Sequence, residues 1–252
     1  MRLFSKAFMF ATLLTLATAA PAMAHSLWLE TPKAAPVAGE KLDLNVGFNE
    51  GFEVVDILKN SVESIPAPTM EGKDGPVSLS LKANGPNYAY ESSKPLGKGS
   101  YMAFTEYKPF VMKHGEAKNK YFMAGKHLVS VGGGSDLDII TKPFGKARLE
   151  IVPLVDPASI TAGQVMPVQV LFDGKPLVRT ELLGDFRGFN PAGSWGLAKA
   201  FYCRTGKEGK LDFIAAKGGL WVLKARHAVP NEDKTEADAT VYLATFTFFV
   251  KQ

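Results

Sequence analysis

Apolar and polar residues alternate along most of this chain, and a period of two is the pattern of β-strands that bury one face. Asp-Gly at positions 173 and 174 separates two such runs and predicts a tight hairpin. We expect strands over residues 41–48, 77–81, 88–90, 100–107, 127–131, 147–154, 164–172, 175–178, 221–227 and 240–250. Because the runs are short and no βαβ rhythm separates them, the chain is expected to be all-β, with antiparallel β-sandwiches of immunoglobulin or fibronectin-III type.

Two stretches depart from this pattern. Residues 116–124 are the most helix-like part of the first half and are compatible with one or two helical turns. Residues 132–136 are rich in glycine, but they follow a strand pattern and do not open a helical one. A flexible hairpin loop therefore fits this stretch better than a phosphate-binding loop.

The first 24 residues have the features of a secretory signal peptide. Arg2 and Lys6 start an apolar run over residues 7–20, and residues 22–24 (Ala-Met-Ala) supply the small residues that precede a cleavage site. The run is shorter than the ~20 apolar residues of a membrane-spanning helix, and no later run is as long. We expect cleavage after Ala24, export to the periplasm and no stable membrane insertion.

A Pro-Gly pair flanked by lysines, within residues 141–146, separates two strand-rich halves. After the signal peptide at 1–24, we expect an N-terminal β-sandwich domain over residues 25–145 and a C-terminal one over 146–252. The chain has one cysteine, Cys203, so no intramolecular disulfide can stabilise either domain. Since Cys203 lies in an apolar run, it is expected to be a small buried hydrophobe.

The charge and the motifs exclude several classes of function. The formal net charge is +4 at pH 7, and removal of the signal peptide takes away two of its positive charges, so nucleic-acid binding is not expected. The sequence contains no CxxC, HExxH or GxSxG motif, and no GxGxxG that opens a helix. An enzymatic function is therefore not expected.

His25 has the most distinctive chemistry in the chain. Cleavage after Ala24 would make it the first residue, with a free α-amine beside its own imidazole. The amine and Nδ1 can close a chelate ring on one metal ion. The alternative is that His25 stands first by accident, since signal peptidase tolerates almost any residue after the cut.

The other three histidines are weaker candidates for metal binding. His227 ends the run 221–227 on the face that Trp221 shares, where a core histidine and a metal ligand are about equally good interpretations. His114 and His127 lie next to or near glycines at strand ends, and a solvated histidine is the simpler interpretation of each. Asp233, in the loop after His227, is a candidate to accept a hydrogen bond from a metal-ligating histidine and so fix the orientation of its ring.

Several segments together resemble one known family. They are residues 25–29, 149–154, 162–163, 168–177, 219–227 and 242–248. They are similar to the exported domain-of-unknown-function family often labelled as a periplasmic component of cobalt/nickel uptake. The resemblance covers nearly the whole mature chain and implies nickel or cobalt as the bound ion, with an inner-membrane metal transporter as a partner. The family's recurring histidines fall on His25 and His227, whereas a further histidine of many members is replaced here by Phe48-Asn49.

Ligand chemistry alone does not choose the metal, because nitrogen-rich sites bind copper more tightly than nickel or cobalt. Tight sites also need three or four ligands. His227 is the best candidate to join His25, so the strand after His25 is expected to pass near the end of the run 221–227. Two other functions stay open, a metal-free adhesion or assembly module and, less favoured, a secreted copper monooxygenase with an N-terminal histidine.

We predict that the exported protein begins at His25. Measuring the intact mass of protein recovered from the periplasm tests this expectation. A start two or more residues away would remove the chelate of amine and imidazole, and with it the metal site in this form.

Overall fold

The computed structural model describes residues 26–49, 64–84, 88–189 and 199–252. Nearly all regular structure in these residues is β-strand, which confirms the all-β class. The strands are β1 (Ser26–Glu30), β2 (Asp43–Asn49), β3 (Thr69–Gly72), β4 (Gly75–Val77), β5 (Leu79–Asn84), β6 (Tyr88–Ser92), β7 (Gly99–His114), β8 (Ala117–Val131), β9 (Leu149–Pro153), β10 (Val165–Phe172), β11 (Lys175–Pro176), β12 (Glu181–Phe186), β13 (Phe201–Arg204), β14 (Lys210–Ile214), β15 (Gly219–Pro230) and β16 (Ala239–Val250). The short helices are α1 (Leu137–Ile140) and two 3-10 turns (Pro157–Ser159 and Lys207–Gly209).

The strands form three sheets. A central eight-stranded sheet has the order β13-β12-β15-β16-β8-β7-β3-β4. A four-stranded sheet, β1-β2-β6-β5, packs on one of its faces, and a sheet of β9, β10, β11 and β14 packs on the other. Among the named strands, every pairing is antiparallel except that of β8 with β16.

Two hydrophobic cores lie on opposite faces of the central sheet. The N-terminal core, under the sheet β1-β2-β6-β5, includes Leu29, Leu44 and Val129. The C-terminal core, under β9, β10 and β14, includes Trp221 and Leu128. Leu128 and Val129 are neighbours in β8 that point to opposite faces, as the pleat of a strand requires. The central sheet is therefore buried on both sides.

The parallel pairing of β8 with β16 joins the two halves of the chain. It runs from Asn119 opposite Ala239 to His127 opposite Thr247. Met102 and Leu128, from the first half, also belong to the C-terminal core. The division at residues 145/146 stays a prediction, but the central sheet runs through both of the predicted domains.

The predictions made for short stretches of the sequence have different outcomes. Asp173 and Gly174 both have positive φ (51° and 72°) between the paired residues Phe172 and Lys175, as a two-residue hairpin turn needs. Residues 117–124, compatible with helical turns in the sequence, are strand, because β7 and β16 pair with β8 on both edges and override the local helix propensity. The glycine-rich stretch leads into α1 rather than a strand.

No helix in the described ranges has the length and apolar character needed to cross a membrane.

A buried ion pair connects β8 of the central sheet to the segment that joins the two halves of the chain. Lys126 Nζ lies 3.4 Å from Glu150 Oε2, and both side chains are less than a tenth exposed. Glu150 also accepts hydrogen bonds from the backbone N–H groups of Phe144 (2.8 Å) and Gly145 (2.5 Å). The ammonium of Lys126 lies 5.5 Å from the centre of the Phe246 ring, and burial lowers the pKa of Lys126 even though Glu150 acts in the opposite direction.

We predict that Glu150→Ala lowers the free energy of unfolding by about 3–5 kcal/mol, since it leaves a buried ammonium without its partner. Lys126→Met serves as the matched variant and should cost less, because the carboxylate keeps its two backbone donors and methionine can still pack on Phe246. Urea denaturation of both variants provides the measurement. Equal losses, or a loss below about 1 kcal/mol for Glu150→Ala, would contradict this role.

Candidate functional site at the first strand

All five residues of β1, the strand that follows His25, are buried. Leu27 and Leu29 enter the N-terminal core, where full burial of a leucine side chain contributes about 1.5–3 kcal/mol. The Trp28 ring lies so close to Gly47 of β2 that a Cβ atom at position 47 would overlap it. The chain is thus packed tightly from Ser26 onward.

β1 pairs with β2 along one edge, and its other edge lies on the face of the central sheet at the β8–β16 seam. Two threonines of β16 donate hydrogen bonds to this second edge. Thr245 Oγ1 lies 2.5 Å from the carbonyl oxygen of Leu27, and Thr247 Oγ1 lies 2.6 Å from that of Leu29. At Gly125 of β8, an added Cβ would come within 3.2 Å of the Leu27 oxygen. Because glycine has no Cβ atom, β1 can approach β8 closely at this position.

His127 fixes the chain directly after β1. Its Nε2 accepts a hydrogen bond from the backbone N–H of Thr31 (3.1 Å), and its Nδ1 donates one to the carbonyl oxygen of Thr247 (3.0 Å). The ring is fully buried, and burial lowers the pKa of His127 to about 4. It is therefore neutral at pH 7, and both ring nitrogens are used in holding the fold. We call Thr245, Thr247 and His127 the β1 clamp.

Glu30, the last residue of β1, reaches into the C-terminal half of the chain. Its carboxylate forms an ion pair with Arg187, which follows β12, and Asn45 also hydrogen-bonds to it. Burial raises the pKa of Glu30, although both partners act to lower it. The first strand thus packs in the N-terminal core, while its polar contacts beyond β2 go to β16 and Arg187.

His227 lies on the opposite face of the central sheet. It pairs with Tyr242, which belongs to the C-terminal core, and its ring centre lies 4.5 Å from that of Phe172 in β10. The pKa of His227 is lowered by burial and by the nearby Arg148, while Asp173 acts to raise it. β1 lies on the face of the central sheet to which the Thr245 side chain points. The central sheet therefore separates β1 from His227.

Arg148 dominates the electrostatics around His227. Its guanidinium carbon lies 4.8 Å from the ring centres of both Phe172 and Tyr242, and it forms a two-pronged ion pair with Asp173, with both distances at 2.6 Å. The Asp173 carboxylate is therefore already engaged. A metal cation bound at His227 would therefore lie beside an ion pair and would have to compete with Arg148 for the Asp173 carboxylate.

The remaining predicted site residues are spread over the molecule. His25 lies outside the described residues. His114 ends β7 at the tip of the β7–β8 hairpin, opposite Ala117. Asp233 is exposed in the turn between β15 and β16, where a hydrogen bond from the backbone N–H of Thr235 (2.9 Å) lowers its pKa. Within the described ranges, no three His, Cys, Asp or Glu side chains are placed together to hold a metal ion.

Sequence reasoning did not identify Thr245 and Thr247 as important. The only signal is their alternation with Phe246 and Phe248, which places two hydroxyls on one face of a strand and two aromatic rings on the other. That pattern indicates a polar face. It does not indicate that the first strand of the chain covers this face.

A family model described as a domain of unknown function (DUF4198) matches residues 22–229 of this sequence. The match extends from the end of the proposed signal peptide to the end of β15 and so covers most of the chain. None of the curated proteins compared with the sequence matches it.

Solved structures that match this chain at low similarity include two adhesins and a domain of intimin. The Escherichia coli adhesin FdeC is 12% identical with a TM-score of 0.24, covering 88% of this chain and 64% of FdeC. The Yersinia pseudotuberculosis adhesin InvE is 13% identical with a TM-score of 0.23, covering 88% of this chain and 58% of InvE. The D00-D0 domain of intimin is 11% identical with a TM-score of 0.22, covering 90% and 100%. The chain thus spans less than two thirds of FdeC and InvE, and TM-scores at this level support no functional argument.

We predict that His127 makes the fold sensitive to acid. Its pKa is about 4 in the folded protein against 6.5 for the ordinary group, so between these values the unfolded chain binds a proton that the folded protein does not. Stability due to His127 is present above about pH 6.5 and falls by about 3 kcal/mol as the pH drops to 4. Glu30, whose pKa is raised, acts in the opposite direction.

His127→Gln isolates this contribution, because glutamine can donate and accept hydrogen bonds but does not titrate, and Glu30 is present in both proteins. Urea denaturation at pH 7, 5.5 and 4 should show that the stability of the variant depends less on pH than that of the native protein. Parallel pH curves for the two proteins would contradict the prediction.

Proposed function

This chain belongs to the DUF4198 family, a domain of unknown function, and we propose that after export it binds a transition metal at its N-terminal residue, His25. The bound ion is nickel or cobalt, with copper as the chemical competitor, and the protein accompanies a metal-uptake system of the inner membrane. The resemblance to proteins labelled as periplasmic components of cobalt/nickel uptake motivates the choice of ion and partner.

One observation carries the proposal, namely that β1 is buried and clamped from Ser26 onward. A free N-terminus normally frays, and ordering it on metal binding costs conformational entropy. Here the residue that would carry the α-amine is one peptide bond away from a strand held by two hydroxyls and a histidine. Ligands attached to rigid strands are placed more accurately than ligands on loops.

The proposed protein ligands are the α-amine and Nδ1 of His25, which form one chelate ring, and water fills the remaining positions of an ion that is held less tightly than at a site with three or four protein ligands. Both must be unprotonated to bind, so the affinity should fall as the pH drops below the ~7.7–8.0 of an α-amine and then below the ~6.5 of imidazole. Nitrogen ligands prefer copper to nickel and nickel to cobalt, so the ion held in the cell depends on supply as well as on affinity.

His227 is not part of the proposed site. It faces Phe172 on the far side of the central sheet, next to the Arg148 cation. The proposal therefore differs from the sequence-based expectation, in which His25 and His227 share one ion. His127 is not included either, because both of its ring nitrogens hold the β1 clamp.

We predict that a Gly-Ser-Gly-Pro extension ahead of His25 weakens nickel and copper binding by at least about 100-fold, more than the loss of a hydrogen bond to a metal-ligating histidine usually causes. The extension leaves every side chain in place and moves the free amine four residues away, and its proline has no amide N–H that could join a new chelate. His227→Ala is the matched control, and its affinity should stay within about twofold of the native value. Calorimetric titration of protein purified from the periplasm, with its N-terminus verified by mass, provides the measurement.

Other outcomes identify the alternatives. Normal binding by the extended protein with loss in His227→Ala would place the metal at His227 and refute the proposed site. Absence of binding to the native protein would favour the metal-free adhesion or assembly module. Turnover in an oxidase assay with copper and ascorbate would instead favour the monooxygenase.

A further inference from the structure

Residues 31–36, which follow β1, are attached to the central sheet mainly at their two ends. The backbone N–H of Thr31 donates to His127 Nε2 (3.1 Å), and the carbonyl oxygen of Pro36 accepts a hydrogen bond from the backbone N–H of Gly132 (2.8 Å). Thr31 and Pro36 are buried, whereas residues 32–35 are exposed. We call residues 31–36 the strap. Because its middle buries little surface, few contacts besides those at the ends oppose its opening.

The hydrogen bond between Thr31 and His127 requires a neutral ring. Nε2 can accept the N–H of Thr31 only while it carries no proton, and Nδ1 already donates to the carbonyl oxygen of Thr247 (3.0 Å). After protonation, a donor would face a donor, and a buried N–H would lose its acceptor next to a buried cation. The hydroxyl of Thr31, 3.4 Å from the same nitrogen, could accept from a protonated ring, but the N–H would stay unpaired.

We propose that His127 is an acid-operated latch for the strap, so that protonation of its ring detaches residues 31–36 from the central sheet while both hydrophobic cores stay folded. A cavity of about 30 Å³ already lies between the strap and Leu128 and Phe249, so little packing is lost on opening. Opening gives the ring access to water and thereby restores its ordinary affinity for a proton, which favours the open strap as the pH falls. The inference does not depend on the proposed metal site.

The charged groups on the elements packed around His127 are themselves paired or hydrogen-bonded. They are Glu30 with Arg187, Lys33 with Glu40 (3.0 Å), Lys126 with Glu150 (3.4 Å) and Asp156 with the backbone N–H of Ala158 (2.9 Å). None of them is a cause of the lowered pKa of His127, which comes from burial, while the hydrogen bond to the Thr247 carbonyl acts to raise it. Glu30 is next to Thr31 and also takes up a proton in acid, so the test must separate the two groups.

Amide hydrogen exchange of the mature protein, without added metal, tests the latch. After correction for intrinsic exchange, opening at Thr31 should increase about eightfold from pH 7 to 5.5 and about 100-fold by pH 4, as pKa values of about 4 in the closed state and 6.5 in the open state require. Exchange at Thr31 should stay constant in low concentrations of urea, because local opening exposes little surface, whereas the amides of β10 should exchange faster as urea is added. Equal rates and equal urea dependence at Thr31 and in β10 would mean that acid unfolds the whole molecule, which would overturn the inference.

Two variants assign the effect to His127. His127→Gln should abolish the pH dependence at Thr31, because glutamine can accept the same N–H but takes up no proton, while Glu30 stays in place. His227→Gln is the matched control, since it removes another ring whose pKa is lowered by burial, but on the far face of the central sheet, and it should keep the native pH dependence. Persistence of the pH dependence in His127→Gln, or its loss in His227→Gln, would refute the latch. If His127→Gln fails to fold, the urea series on the native protein still decides between local opening and unfolding of the whole molecule.

Discussion

The edge of β1 that faces away from β2 is buried on the face of the central sheet, and none of the strands in the described residues pairs with β1 along this edge. Backbone carbonyls in such a place need donors from side chains, and the donors here are Thr245 and Thr247. His127 satisfies the backbone N–H of Thr31 directly beyond. These contacts tie β1 to β16 and β8. The face of the central sheet on which β1 packs must therefore have these polar side chains at fixed positions.

That face exists because β8 and β16 pair in parallel and merge the two halves into one sheet. Consecutive residues of β8 then point to opposite faces of the central sheet. Lys126 points toward the C-terminal core and pairs with Glu150, which holds the backbone of Phe144 and Gly145, whereas His127 points toward β1. Buried polar groups of this kind contribute little net stability compared with well-packed apolar side chains. Their effect here is to fix which segment lies against each face.

The central sheet also separates β1 from the polar groups around His227. Residue 25 joins the strand on the N-terminal face, while His227 lies with Phe172 and the Arg148–Asp173 pair on the other. The metal site that we propose at the N-terminal amine would adjoin β1, on the other face of the central sheet from His227. The two histidines have different environments, since the fully buried His127 accepts and donates hydrogen bonds within the fold, whereas the half-buried His227 ring packs on Phe172.

Elements that depend on local chemistry can be predicted from the sequence. Period-two alternation identified most of the strands, such as β2 and β10, and Asp173-Gly174 identified its hairpin, because side-chain direction and positive φ are properties of a few consecutive residues. The sequence also marked His25 as the residue with unusual chemistry. Only the folded structure shows that residues 117–124 form a strand, that β8 pairs with β16, and that Thr245, Thr247 and His127 hold β1. These results depend on contacts between residues 96 to 218 positions apart, and no local pattern of hydrophobicity encodes which distant strand will supply the missing hydrogen-bond donor.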